Sequence, residues 1–274
     1  MRIYFYLAVI CLIQFSCKAP RYVYSPSAHN VPVFTQKGDS KLSALYSTNW
    51  ANRTVVLGEN PYSRGVDAQA AYAITNHWAV QANYFSRYEK NGQNYLINSK
   101  SLLKYKRHIM EGGLGYYAFL KDEVILQCFA GFGSGKFTLK DYTLDSTGVT
   151  SIHYHNASVH KYFIQPAIVY HPDKHASFAF SSRFSFVDYH SIQTNYDSSQ
   201  LSSHNLNELP RQTFSFWEPA IVITHGLNKY PYLRMEAQLG FSLLLNSQFV
   251  ETRPFHFSIG MYADLLRLFK GNSR

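Results

Sequence analysis

Residues 232–245 read YLRMEAQLGFSLLL, and residues 254–266 read PFHFSIGMYADLL. In the first stretch Leu233, Met235, Ala237, Leu239, Phe241 and Leu243 share a face, opposite Arg234, Glu236, Gln238, Gly240 and Ser242. In the second, Phe255, Phe257, Ile259, Met261, Ala263 and Leu265 oppose His256, Ser258, Gly260, Tyr262 and Asp264. A period of two sustained this long is a β-strand with two unlike faces. One face is large and apolar. The other is small, polar and sparsely charged.

The pattern recurs upstream. Val66, Ala68, Ala70, Tyr72 and Ile74 oppose Asp67 and Gln69, and Phe178, Phe180, Phe184 and Phe186 share a face that excludes Arg183. The strand-like runs pair across short turns: 65–74 with 77–85, 108–120 with 124–137, 159–170 with 176–189, and 213–224 with 232–245. Single runs at 40–48 and 254–266 bring the total to about ten, an even number. Longer polar segments at 49–64, 86–107, 138–157 and 190–211 read as loops. Short turns alternating with long loops are the pattern of an outer-membrane barrel, with the short turns in the periplasm. The expected fold is all-β: a single antiparallel up-and-down transmembrane β-barrel of about ten strands, over 40–269, with no internal domain boundary. Closure matters because a sheet in hydrocarbon must pair every backbone polar group.

Composition agrees. The chain has 274 residues, 16% of them aromatic and only 16% charged; an ordinary soluble domain carries roughly 25% charged residues. The formal net charge of +9 is scattered rather than gathered into a basic helix, which argues against a nucleic-acid partner. The alternation would also suit a soluble, lipocalin-like barrel turned inside out around an apolar ligand. The apolar face is too large and too aromatic for one small-barrel interior, so lipid is the expected environment.

Residues 1–16 carry Arg2 and an apolar run from Ile3 to Ile13, too short to span a bilayer as a helix and suited to an export signal. The segment ends Gln14-Phe15-Ser16-Cys17, a relaxed lipobox in which Cys17 would be acylated and cut free. Residues 17–39, with Pro20, Pro26 and Pro32, read as an extended leader between lipid and barrel. Cys11 would leave with the signal, and Cys128 stands alone in an apolar strand, so there is no disulfide framework. In a bacterial chain the sequons at Asn52 and Asn156 carry little weight.

FSCKAPRYVYSPSAHNVPVF (15–34), GVDAQAAYAITNHWAVQANYF (65–85) and FWEPAIVITHG (216–226) resemble the outer-membrane β-barrel proteins of Bacteroidota that carry a lipoprotein-type signal. The likeness covers most of the chain but rests on patterns, and it implies an outer-membrane barrel without implying an activity. Lys18-Ala19-Pro20 lacks the acidic residues that follow the cysteine in surface-exported lipoproteins of that phylum, which implies an anchor in the inner leaflet.

Glu111, Lys161, Arg183, Glu218, Arg234, Glu236 and Asp264 fall on the inward face. They are expected to form a lumen network of paired charges, since an unpaired buried charge is expensive. A bore of about ten strands is too narrow for a general diffusion porin. Gly131-Phe132-Gly133-Ser134-Gly135-Lys136 is followed by Phe137 rather than Ser or Thr, so it is no P-loop. Its glycines are expected to admit a bulky lumen neighbour such as Arg or Tyr. His153, His155 and His160 lack the partners of a metal site. His190 with Asp188 or Asp197, or Ser203 with His204, would be the candidates if the barrel were a hydrolase acting on lipid or peptide, but no catalytic signature surrounds them. No cofactor is implied. The expected partners are outer-membrane lipid and an external ligand held by loop aromatics such as Tyr105, Tyr142 and Tyr196.

Overall fold

A computed structural model describes residues 21–49, 60–94, 100–144, 150–173, 175–227, 229–246 and 251–264. The signal region, Cys17, Asn52 and the residues after 264 lie outside these. The elements in chain order are β1 (Tyr22–Tyr24), β2 (Ser40–Asn49), β3 (Tyr62–Ala73), β4 (Trp78–Asn94), β5 (Lys100–Lys121), β6 (Val124–Leu144), β7 (Thr150–Tyr170), β8 (Ala176–Thr194), α1 (Ser198–Ser203), a 3-10 turn (Leu206–Arg211), β9 (Phe214–Leu227), β10 (Tyr230–Phe241), β11 (Leu243–Leu244), β12 (Glu251–Thr252) and β13 (Phe255–Ala263).

Strands β2 to β9 pair in sequence, each antiparallel to the next. β10 pairs with β9 on one side and β13 on the other, and β13 pairs with β2. The sheet therefore closes into an antiparallel barrel of ten strands, β2–β10 and β13. Beyond Ser242 the strand resumes as β11, still paired with β9.

The faces divide as the alternation demands. On β10, Met235 and Leu239 are exposed while Arg234, Glu236 and Gln238 are buried. On β8, Phe178, Phe180, Phe184 and Phe186 are exposed and Ser177, Ser181, Arg183 and Ser185 are buried. The apolar side faces outward all round the wall and the polar side faces the lumen, the reverse of a soluble container for an apolar ligand. A belt of exposed Phe, Tyr, Ile, Leu and Met can be hidden from water only by lipid, which places this closed barrel across a membrane. Its location is the bacterial outer membrane, where closed barrels of this kind reside. Cys128 points out of the wall into that belt.

Much of what reads as loop in the sequence is strand. β4 runs on to Asn94, β5 begins at Lys100, β6 reaches Leu144, β7 starts at Thr150 and β8 ends at Thr194. β5 has 22 residues, about twice the 9–11 needed to cross a bilayer. Beyond the hydrocarbon the outward residues no longer need to be apolar, so the alternation fades while the backbone ladder continues. The wall thus stands well clear of the membrane on the long-loop side.

Candidate functional site

The lumen is filled by the chain's own N-terminal segment. Every residue from Val23 to Pro32 is buried, as are Arg21 and Phe34, with no alternation between faces. The leader expected to bridge an anchor and the barrel runs instead through the barrel interior. It enters beside α1, descends past the lumen walls, and leaves near the short turns. There Lys37 N–H donates to Asn76 Oδ1. Asp39 Oδ2 accepts from Thr35 N–H, Thr35 Oγ1 and Gln36 N–H, closing a turn in which Gly38 takes φ 91°. β2 then starts back up the wall.

The local sequence explains the fit. YVYSPSAHNVPVF (22–34) is apolar at its ends and polar in the middle. The lumen has the same three layers. Val23 and Tyr24 pack with Tyr105, Phe137, Tyr189, Leu209, Phe214 and Phe216 in an outer apolar cluster. Val31 and Phe34 pack with Tyr117, Ile125, Phe129, Phe163 and Val222 in an inner one. Between them, Ser25 to Asn30 meet the charged lumen side chains.

Tyr22–Tyr24 pair in parallel with β12, and Arg253 N–H donates to Tyr24 O; beyond them Pro26 and Pro32 keep the segment out of the sheet, and its buried backbone is met largely by side chains. Gln238 accepts from His29 N–H and donates to His29 O, both at 2.8 Å, mimicking a paired strand. Ala28 N–H donates to Asp67, while Gln69 and Arg183 donate to Ala28 O. Gln165 donates to Asn30 O at 2.9 Å, and Val23 O accepts from Arg107 and from the Tyr189 hydroxyl.

The seven inward residues expected from the sequence all line this lumen, and all are buried. Lys161 Nζ lies 2.9 Å from Glu111 and 3.9 Å from Glu218, and Arg183 lies 3.9 Å from Glu111. These four form one cluster across β5, β7, β8 and β9. Glu236 instead pairs with Lys41 at 2.7 Å. Arg234 lies over the Tyr262 ring, 5.5 Å from its centroid, and Asp264 N–H donates to Tyr232 O at the inner rim. A second cluster escaped the sequence reading: Glu89 with Arg107 and, at 3.2 Å, Arg253, and Asp67 with Arg87 at 3.3 Å. Arg87, Glu89 and Arg107 sit in stretches taken for loops. Only the parity of their strands could have shown that they point inward.

At the outer mouth Arg21 Nη2 donates to Asp141 Oδ2 at 2.6 Å and lies 3.2 Å from His204 Nε2. Tyr196 also donates to Asp141, and its ring stacks on His153 at 4.9 Å. These residues with Ser101, Thr143, Ser151 and Gln200 line a polar cavity of about 210 Å³. Burial and the Asp141 carboxylate push the Tyr196 hydroxyl up. Asp197 caps α1, and the Gln200 N–H it accepts holds its carboxyl low.

The loop aromatics are placed differently from the expectation. Tyr105 is fully buried inside β5, Tyr142 lies in β6, and Tyr196 alone sits in an external connection. Of the three glycines in the β6 run only Gly131 makes room for a lumen ring, and that ring is a phenylalanine; a Cβ on Gly133 would meet Glu111 and Ile109, and one on Gly135 the backbone of His108 and Ile109. A Cβ on Gly131 would meet Phe163, and the partner of Phe129 is Gly115 of β5. His155 and His160 sit on opposite faces of β7, and no group of three metal-ligating side chains occurs among the described residues. The contacts found for the hydrolase candidates are with other residues. Asp188 accepts from Thr213, His190 lies against His160 at 4.1 Å, and Ser203 Oγ donates to Gln200 O.

No family model and no curated protein matches this chain. Solved structures are similar to it at low identity. The translocator domain of autotransporter NalP from Neisseria meningitidis matches 84% of this chain and 89% of its own, at 10% identity and a TM-score of 0.46. The outer membrane protease OmpT from Escherichia coli matches 85% and 99%, at 6% identity and 0.45. The outer membrane protein OprG from Pseudomonas aeruginosa matches 84% and 96%, at 11% identity and 0.37. Likeness at this level says nothing of this chain's activity.

Proposed function

We propose that this protein is a sealed, non-enzymatic outer-membrane barrel with a structural or adhesive role, whose recognition surface is its tall external wall and outer mouth. One observation carries the reading: residues 21–34 run through the bore, hydrogen-bonded to its wall between Arg21 and Asn30 and packed against it at Val31 and Phe34. A bore occupied this way does not pass solutes freely. The mouth cavity, with its Arg21, His153, Tyr196 and His204 lining, is where a small external ligand would be held. The test is conductance in planar bilayers. Wild-type protein is expected to stay closed, and a chain lacking residues 21–34 to conduct if it folds. The Tyr24→Ala variant keeps the plug but weakens its hold, and is expected to flicker open. Steady porin-like conductance by wild type would refute the reading.

The resemblance to Bacteroidota barrels supports acylation of Cys17. The direction of the plug bears on where that lipid would lie. Arg21 is at the outer mouth, and four residues of chain reach at most about 14 Å. An acylated Cys17 within that reach of Arg21 would lie on the external side of the barrel rather than at the periplasmic leaflet.

A further inference from the structure

We propose that the lumen wall of β10, β13, β2 and β4, where it faces the plug at Ala28 and His29, encloses a binding site for one small inorganic anion of chloride size. Its lining is Arg87, Ser242, His256 and Ser258. All four are buried. Among the described residues, Arg87 Nε and Nη1, both ring nitrogens of His256 and the hydroxyls of Ser242 and Ser258 have no hydrogen-bond partner. A single buried polar group left unmet is costly and calls for an explanation. Here several adjoin one another.

Register brings them together. Ser258 is the partner of Ser47 on β2 and of Gln238 on β10, and His256 is the partner of Asn49 and of Gly240. Ser47 Oγ and Arg87 Nη2 both donate to Asp67 Oδ2, the guanidinium at 3.3 Å. Arg87 therefore reaches over Gly65, where an added Cβ would meet its side chain at 3.1 Å, and ends beside Ser47, next to Ser258. The surrounding inward side chains are short: Ser47, Gly65 and Gly240 on the wall, and Ser25, Pro26, Ser27 and Ala28 on the plug. Ala28 N–H donates to Asp67 and the His29 backbone is paired with Gln238, so the plug closes over this stretch of wall.

Chemistry selects an anion. The unmet groups are rich in donors: guanidinium N–H, two hydroxyls and the protonated nitrogen of an imidazole. The charges that bear on His256 are those of Arg87 and Arg183, both cationic. Asp67 engages Arg87 through Nη2, which leaves Nε and Nη1 to a second acceptor. Guanidinium groups repel a cation, whereas one small anion accepts from several donors at once, and hydrogen bonds to an ionised acceptor are the strong ones. Held there, the anion joins β4 to β13 and fixes the wall against which the plug is laid.

The test uses full-length protein refolded into neutral detergent at one ionic strength, in sodium chloride or in sodium gluconate, whose anion is too large for an enclosed single-ion site. At a chloride concentration about ten times its dissociation constant, the unfolding equilibrium constant read from urea curves is expected to fall about tenfold relative to gluconate. Ser258→Ala removes one donor and no charge, and is expected to weaken chloride binding about fivefold. Ser177→Ala, whose hydroxyl bonds Thr224 elsewhere in the lumen, is expected to leave it unchanged. Equilibrium dialysis against bromide is expected to saturate at about one ion per chain, and Arg87→Gln to abolish that binding. If Arg87→Gln gives no heat-modifiable band, Ser258→Ala and His256→Gln are scored in its place, each expected to weaken bromide. Equal stability in chloride and gluconate, or no saturable bromide, would show that water alone meets these groups and overturn the proposal. A halide effect that survives Ser258→Ala at full strength would overturn its placement here.

Discussion

Tyr24 donates its hydroxyl to Glu218 Oε1 at 2.8 Å, across 194 residues of chain, and stacks on Phe216 at 4.0 Å. One residue of the leader is thus held by both an apolar and a charged element of β9, at the boundary between the outer apolar cluster and the charged layer of the lumen. The leader is a part of the core and not a tether beside it.

Tyr24→Ala is therefore expected to destabilise the barrel by about 3 kcal/mol, the scale of an aromatic-to-alanine change in a packed core. The measurement is the urea midpoint of the heat-modifiable band in detergent. A midpoint shifted no more than by an exposed control such as Tyr154→Ala would show that the leader is not packed as described.

Glu89 gathers Ser25, Ser63, Arg107 and Arg253 on one carboxylate. Glu89→Ala removes the charge that offsets two buried guanidinium groups, and is expected to cost about 3–5 kcal/mol. Glu89→Gln should recover part of this, because its amide oxygen still accepts a hydrogen bond. Refolding yield and urea midpoint read both. Equal loss in the two variants would refute the dominance of hydrogen bonding in that partial rescue.

Gly115 faces the ring of Phe129, with the three atoms nearest to its missing Cβ all on that ring. Gly115→Ala is expected to destabilise, and Phe129→Leu to relieve it, so the double variant should be more stable than the sum of the singles predicts. A coupling of about 1 kcal/mol is expected for residues in contact. Simple additivity would show that the backbone yields instead.

Asp197 caps α1 from an exposed position, and its carboxyl is held below the ordinary range by the Gln200 N–H and the Ser199 hydroxyl. Its folded value lies below its unfolded one. The stabilisation is therefore complete above the unfolded value, near pH 4, and is lost as pH falls through the folded value. Amide exchange at Gln200 should accelerate in that acid range and not between pH 6 and 8. Asp197→Asn should remove the acid dependence while keeping much of the cap.

The chain preceding Arg21 is expected to be reachable from outside the cell. In a Cys128→Ala background, Ala19→Cys should react with a membrane-impermeant maleimide on intact cells, as Ser199→Cys in α1 does. Asn76→Cys at a short turn should react only after lysis. Labelling of position 19 only after lysis would reverse the direction assigned to the plug.

The alternation of Leu233 to Leu243 against Arg234 to Ser242 was enough to declare strands with one lipid face, and the spacing of short turns gave the strand count. The inward assignment of Arg183, Glu218 and Glu236 followed from parity alone. Parity could not say that Glu236 belongs to Lys41 and Glu111 to Lys161, because pairing depends on register around a closed sheet. The reach of β5 up to Lys100 was also illegible. Above the membrane the outward residues turn polar, and a polar strand looks like a loop when only hydropathy is read.

What the sequence determined by itself is the wall: a period of two with a lipid-compatible face specifies a closed barrel because strands in hydrocarbon pair all their backbone groups only when the sheet closes. What only the tertiary structure decided is the filling. Residues 21–34 have no period and two buried prolines, so they carry no local preference for a place. Their position comes from Gln69, Gln165, Arg183 and Gln238 on four separate strands. These side chains converge on one stretch of backbone only after the sheet has closed.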